Sequence, residues 1–145
     1  MTRQQLARIL GYSGLIPFIV FSIATWTSLP FVHEPHWILS TYAAVILSFM
    51  GAVHWGVAMS RDSDVARLEL GFSVVPALLG WLALLLPAPF TYAVLIVSFA
   101  ALYFADGYIS RKGLLPGWYL PMRRVLTSIV LFCLVGAALA MIVLT

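Results

Sequence analysis

Charge is what this sequence has least of. Charged residues make up 9% of the chain and hydrophobic residues 63%, whereas an ordinary soluble domain is about 25% charged. A soluble globular fold is excluded. The single cysteine, Cys133, rules out an internal disulfide and says little about redox compartment. There are only five acids, Glu34, Asp62, Asp64, Glu69 and Asp106. A paired-carboxylate mechanism would have to use Asp62 and Asp64, which stand among Arg61 and Arg67 in what reads as a solvated loop. No Ser-His-Asp, Cys-His or glycine-rich phosphate motif occurs in a fitting context. No internal repeat is visible, so the inverted-repeat signature of many secondary transporters is missing. The sequence therefore names no catalytic residue and no cofactor.

What is present is five apolar segments, at residues 6–29, 37–59, 68–86, 90–106 and 123–144. A membrane-spanning helix needs roughly 20 mostly apolar residues, so the five account for nearly all of the chain and leave no length for a soluble domain. The expected fold is all-α: one integral membrane bundle of five transmembrane helices over residues 1–145. The first segment is longer than a signal-peptide core of about 7–15 residues and lacks a small-x-small cleavage site before Pro30, so it reads as a retained helix.

The basic residues fall at alternate ends of these segments. Arg3 and Arg8 precede the first, Arg61 and Arg67 lie between the second and third, and Arg111, Lys112, Arg123 and Arg124 lie between the fourth and fifth. Cytoplasmic loops hold the Lys/Arg excess, which predicts a cytoplasmic N-terminus and a periplasmic C-terminus in a bacterial inner membrane. The net charge of +3 then points to lipid headgroups as partners, not nucleic acid.

Within the segments, Pro17 and Pro76 predict kinks, and Trp26 suits the outer interface. The second segment carries Ala44, Ser48, Ala52, Gly56 and Ser60 at four-residue spacing. Such a small-residue stripe lets a neighbouring backbone approach closely, because lipid gives no hydrophobic reward for helix association. His54 stands about 200° around the helix from Ala52 at ~100° per residue, on a face shared with Leu47, Met50, Gly51 and Ala58. Both faces are expected to touch protein, which makes this helix central. Gly136 and Ala140 form another close-contact pair in the last segment.

Two ionisable residues stand inside the apolar register. His54 is expected ~7 Å inside the basic end of its helix at 1.5 Å per residue, and Asp106 at the same end of the fourth. Ionisable groups at membrane depth are costly, face the bundle interior and often mark function. A pair of this kind can bind a quinone carbonyl, relay a proton or hold a polar headgroup. The bland alternative is that His54 bonds a backbone carbonyl and Asp106 caps its helix. Trp55 can wall a pocket beside His54 or rest against lipid. Arg123 or Arg124 can pair with Asp106 or simply anchor the last helix at the headgroups. His33, Glu34 and His36 supply too few ligands from one short loop for a zinc site, so no metal is expected.

The run Gly51-Ala52-Val53-His54-Trp55-Gly56, with Asp106-Gly107 and Gly117-Trp118-Tyr119-Leu120-Pro121-Met122-Arg123-Arg124 later, resembles the signature of a small polytopic membrane family called DUF3429, which includes a mitochondrial branch of transmembrane protein 69-like proteins. The resemblance covers nearly the whole chain in length, segment number and motif order. It implies no activity, but it does imply that His54, Trp55, Asp106, Trp118, Tyr119 and Arg123 or Arg124 belong to the family's pattern. Three functions stand open. One is a non-catalytic binding protein with an inner-leaflet pocket for a lipid- or quinone-like molecule around His54 and Asp106, using Trp55, Trp118, Tyr119 and Arg123. The second is an accessory or assembly subunit of a larger membrane complex. The third is a small proton-coupled transporter or membrane enzyme using His54 as the titrating group; the missing repeats and small size count against transport, though a homo-oligomer could build a path between protomers.

Overall fold

A computed structural model describes residues 1–144. The chain forms seven helices: α1 (Arg3–Ser13), α2 (Leu15–Trp26), α3 (Pro35–Met59), α4 (Asp64–Phe72), α5 (Val75–Leu85), α6 (Phe90–Arg111) and α7 (Tyr119–Leu144). Paired as α1–α2 and α4–α5, they give five spans long and apolar enough to cross a membrane, at Arg3–Trp26, Pro35–Met59, Asp64–Leu85, Phe90–Arg111 and Tyr119–Leu144. No strand occurs among the described residues. The architecture is the expected all-α five-span bundle.

Local chemistry explains each start and break. Thr2 and Gln5 close a capping box on α1, and the Ser63 hydroxyl accepts from the Ala66 N–H to start α4. Pro35 occupies the first position of α3, where its missing N–H has no helical partner anyway. The α1–α2 break at Gly14 stands three residues before Pro17, and the α4–α5 break at Ser73 and Val74 precedes Pro76. Each proline removes an i→i−4 hydrogen bond at the break.

The first span lies about three residues earlier than the sequence reading and the third starts at Asp64 rather than 68; two further boundary differences matter below. The fourth span runs on through Gly107 to Arg111, because one helical glycine costs only about 1 kcal/mol. The stop is Gly113, at φ 71. There Gly113 and Leu114 N–H groups donate to the Ser110 and Ile109 carbonyls, a Schellman ending that requires a left-handed residue. The fifth span starts one turn early, at Tyr119 rather than Arg123. Pro121 falls in its first turn, where an N–H would lack a partner in any case.

The spans close into a ring in which α2 packs on α3, α3 on α5, α5 on α6, α6 on α7, and α7 on α2, with α3 also touching α6 across the middle. The core that holds the ring together contains Phe18, Leu39, Leu47, Tyr92, Leu95, Phe99 and Leu134, with Phe18 edge-on to both Tyr42 and Phe99. Polar stitches add to it. The Ser22 hydroxyl donates to the Cys133 carbonyl at 3.0 Å, and the Trp26 indole to the Gly136 carbonyl at 3.1 Å.

The small-residue stripe of α3 divides along its length. Ala44 is buried, and a Cβ on Gly80 of α5 would come within 3.1 Å of the Ala44 carbonyl, so these backbones are in contact. Ser48 is half-buried, whereas Ala52, Gly56 and Ser60 are exposed, and nothing stands within 4 Å of the place where a Gly56 Cβ would be. In the basic half of α3, close packing moves to the histidine face. A Cβ on Gly51 would lie 2.9 Å from the Ser73 carbonyl and 3.1 Å from Pro76, so α3 meets the α4–α5 break backbone to backbone.

Candidate functional site: a buried carboxylate between two cavities

Asp106 is the largest departure from an apolar interior. It is 1% exposed, and it stands five residues before the end of α6, ~7 Å along the helix axis at 1.5 Å per residue. The extension of α6 to Arg111 is what turns it from an end-of-helix group into a buried one. Both carboxylate oxygens are engaged by different helices. His54 Nε2 of α3 lies 2.7 Å from Oδ1, and Arg123 Nε of α7 donates to Oδ2 at 2.7 Å. A carboxylate is acceptor-only when ionised, so the histidine tautomer with its proton on Nε2 fits this contact. Three of the five spans are tied at one point.

The three members differ in burial. Arg123 is 4% exposed, and the His54 side chain 11%. Arg124, the alternative partner, points outward and donates to the Tyr103 hydroxyl at 3.2 Å. Asp106 therefore takes Arg123 and leaves Arg124 at the surface. Removing one member of a buried pair of this kind costs about 3–5 kcal/mol, so the cluster holds the fold at the same time as it shapes the site.

His54 and Arg123 face opposite sides of Asp106. His54 lines a cavity of about 370 Å³ bounded by the α4–α5 span and α6, with Ser73, Pro76, Ala105 and Tyr108 on its walls. Its one hydrogen bond among the described residues is the Nε2 contact with Asp106. Glu69 also lines this cavity and is held by Arg61 and by Lys112, the latter at 3.3 Å. Lys112 also lies 4.3 Å from the centre of the Tyr108 ring, a cation–π distance. The Glu69 cluster was not singled out in the sequence, because Arg61, Glu69 and Lys112 come from three separate elements.

Arg123 lines the larger cavity, about 550 Å³, between the α1–α2 span, α3 and α7. Its walls include Gly11, Phe18, Ile46, Met50, Val53, Phe99 and Leu126, and Arg123 is the one charged residue among them. Trp118 and Tyr119 line the same cavity, their rings 6.3 Å apart and edge-to-face. Here the effect of the early start of α7 appears. Tyr119, Arg123 and Thr127 fall at four-residue spacing on one helical face. Tyr119 Oη, Arg123 Nη2 and Thr127 Oγ1 are all buried and all without a hydrogen-bond partner. Buried polar atoms are nearly always paired, so three orphans on one face of one helix need an explanation.

The structure separates the remaining candidates from this cluster. Trp55 is 42% exposed and lies on the bundle surface, where an indole suits the membrane interface. On the helix-packing stripe, Ala44 is in contact and Ala52 and Gly56 are not. Asp62 and Asp64 pair only with Arg67, with side chains 95% exposed, and exposed pairs contribute little. At the other end of the bundle, His36 Nδ1 meets the buried Tyr92 hydroxyl at 2.8 Å. No group of three or more His, Cys, Asp or Glu able to hold a metal occurs among the described residues.

With this geometry established, the relatives of the chain give its family. The profile of the family described as "Protein of unknown function (DUF3429)" matches residues 3–139. The chain belongs to that family. It is also 34% identical over 130 residues to Transmembrane protein 69 of Xenopus tropicalis, an alignment that takes in 88% of this chain and 51% of the frog protein. The chain thus spans about half the length of that relative. No solved structure matches. The family member is a multi-pass membrane protein, and its Gly-x-x-His-Trp-Gly run and its Trp-Tyr…Arg run are the two segments that meet at Asp106.

Proposed function

We propose that this protein is a non-catalytic binding protein, which holds an apolar molecule bearing a small polar head in the cavity between α1–α2, α3 and α7. The observation that carries this reading is an otherwise apolar cavity of about 550 Å³ with two polar residues, Tyr119 and Arg123, one helical turn apart on its wall. Such a cavity, apolar with a few fixed polar groups, is the ordinary form of a small-molecule site. His54 serves from behind: with Arg123 it fixes Asp106, and Asp106 fixes the Arg123 side chain. The setting we infer is the inner leaflet of a bacterial inner membrane, with a cytoplasmic N-terminus and a periplasmic C-terminus. The support is that the arginine-rich connections and the cluster share one end of the bundle. A C-terminal reporter should therefore read as periplasmic, and a cytoplasmic signal overturns the orientation.

Native mass spectrometry of the protein released from its own membrane in mild detergent tests the binding reading, with a Val53→Trp variant alongside to fill the cavity. The expected result is a stoichiometric small molecule on the wild type that is absent from the variant. Wild-type protein without such a molecule overturns the reading. A copurifying protein subunit, lost on Gly56→Leu and indifferent to Val53→Trp, would establish the accessory-subunit reading in its place. The observation that favours this second reading is the exposed basic half of the α3 stripe, Ala52, Gly56 and Ser60.

A further inference from the structure

His54 uses only one of its two ring nitrogens. Nε2 meets Asp106 at 2.7 Å, and Nδ1 has no hydrogen-bond partner among the described residues. The buried side-chain atoms without a partner are Tyr119 Oη, Arg123 Nη2 and Thr127 Oγ1. Nδ1 is not one of them, so this nitrogen is unpartnered with surface open to a visiting atom. The His54 side chain is 11% exposed, and the cavity it lines is that of about 370 Å³ between α3, the α4–α5 span and α6. The residue stands five positions before the end of α3, about 7 Å along the axis at 1.5 Å per residue. An unpartnered polar atom is costly at that depth, because lipid tails offer it nothing.

The other polar groups on this wall are committed. Ser73 Oγ donates to the Leu70 carbonyl and Ser98 Oγ to the Val94 carbonyl, both at 2.6 Å. Glu69 is held by Arg61 and Lys112. Tyr108 is an exposed residue whose ring lies under Lys112. The rest is apolar, from Phe72 and Val75 to Leu79 and Leu102. An apolar cavity of this size with a fixed polar atom in it has the form of a small-molecule site.

Ring chemistry states what Nδ1 asks of a guest. An ionised Asp106 only accepts, so Nε2 keeps its proton towards it, and Nδ1 is an acceptor in the neutral ring and a donor in the charged one. An ammonium head fits only the neutral ring, and a carboxylate only the charged one. A hydroxyl donates and accepts, so it fits both. It is also far less costly to take out of water than either ion. We infer that the cavity between α3, the α4–α5 span and α6 is a second small-molecule site, which takes an uncharged amphiphile by a hydroxyl group on His54 Nδ1. Two sources share that head: the phenolic hydroxyl of a quinol and the alcohol of a glyceride. This site is separate from the cavity of the binding reading above, since His54 lines one and Arg123 the other.

The test uses the full-length protein in lipid nanodiscs, with isotope-labelled histidine. NMR follows the Nδ1 resonances of His33, His36 and His54, and the His54→Gln spectrum assigns the last. Decanol, decylamine and decanoate are the probes, with matched tails and different heads. The expected result is that decanol moves the His54 resonance alone and binds at least about tenfold more tightly than either ion. Ala105→Phe, which fills this cavity from α6, should abolish that binding. Ala101→Phe, at an exposed position on the same wall, replaces it if thermal melting shows the first variant misfolded. Val53→Trp, which fills the other cavity, should leave decanol binding unchanged. Kept reduced, a decyl-chain benzoquinol is then compared with monooleoylglycerol, and the tighter of the two identifies the source of the hydroxyl. Equal or tighter binding of decylamine or decanoate overturns the hydroxyl assignment. Decanol binding that survives the alanine variant and is lost in Val53→Trp puts the guest in the other cavity and overturns this site. A His54 resonance that no probe moves overturns the site as well, and leaves the reading of the other cavity to its own test.

Discussion

The two sides of Asp106 are built from similar materials and come out differently. On the His54 side, the smaller cavity has Glu69 on its wall, and that carboxylate is paired with Arg61 and Lys112. On the Arg123 side, the cavity is larger and almost wholly apolar, and two residues of its wall, Tyr119 and Arg123, carry buried polar atoms with no partner. All three buried orphan atoms among the described residues are on α7. An ionisable residue at membrane depth therefore does not itself locate a site. On the histidine side the buried polar atoms are satisfied; the arginine side carries buried polar atoms without a hydrogen-bond partner.

The largest effect should come from removing the shared carboxylate. Asp106→Ala leaves buried Arg123 without its counter-charge and should cost about 3–5 kcal/mol, read as a steep fall in melting temperature in detergent. Replacing the pair together, Asp106→Leu with Arg123→Met, should recover much of that loss, since apolar replacements of buried pairs are often near neutral. A double variant no more stable than Asp106→Ala would show that the cluster does more than compensate charge. On the other side, His54→Ala removes one donor from Asp106 and leaves Arg123 in place. The expected cost is smaller, about 1–3 kcal/mol. A loss equal to that of Asp106→Ala would erase the difference between the two sides.

A milder contrast tests the packing of α3. Gly51→Ala places a Cβ 2.9 Å from the Ser73 carbonyl, where backbone must shift, and should cost about 1–3 kcal/mol. Gly56→Ala meets nothing within 4 Å and should be neutral or stabilising by up to about 1 kcal/mol through helix propensity. Smallest of all is Tyr119→Phe without ligand, expected within about 1 kcal/mol of wild type, because the hydroxyl it removes bonds nothing.

Much of this was legible in the sequence because the membrane imposes strong rules. Five apolar runs separated by basic or proline-rich connections leave little choice of fold, and Pro17 and Pro76 announce their breaks. His54 and Asp106 stand out because ionisable residues are rare in such runs, and alternation of the spans brings them to the same end. Two helix ends were less legible. Gly107 looks like a stop but is carried through, since the α6 ending depends on the left-handed backbone at Gly113. Pro121 looks like a barrier but is harmless in a first turn. Together these shifts bury Asp106 and place Tyr119 in register with Arg123, so the donor face of α7 could not be seen from composition or spacing. The α3 stripe erred the other way. Four-residue spacing shows which residues share a face, but not which partner covers it, and α5 covers only the Ala44 end.

The measurement that tests the central claim most directly is an experimental structure of the protein purified from its own membrane, at a resolution that shows ordered water. The account predicts a bound molecule in the cavity between α1–α2, α3 and α7, with its polar head beside Tyr119 and Arg123. A cavity holding only water or a lipid tail would contradict it.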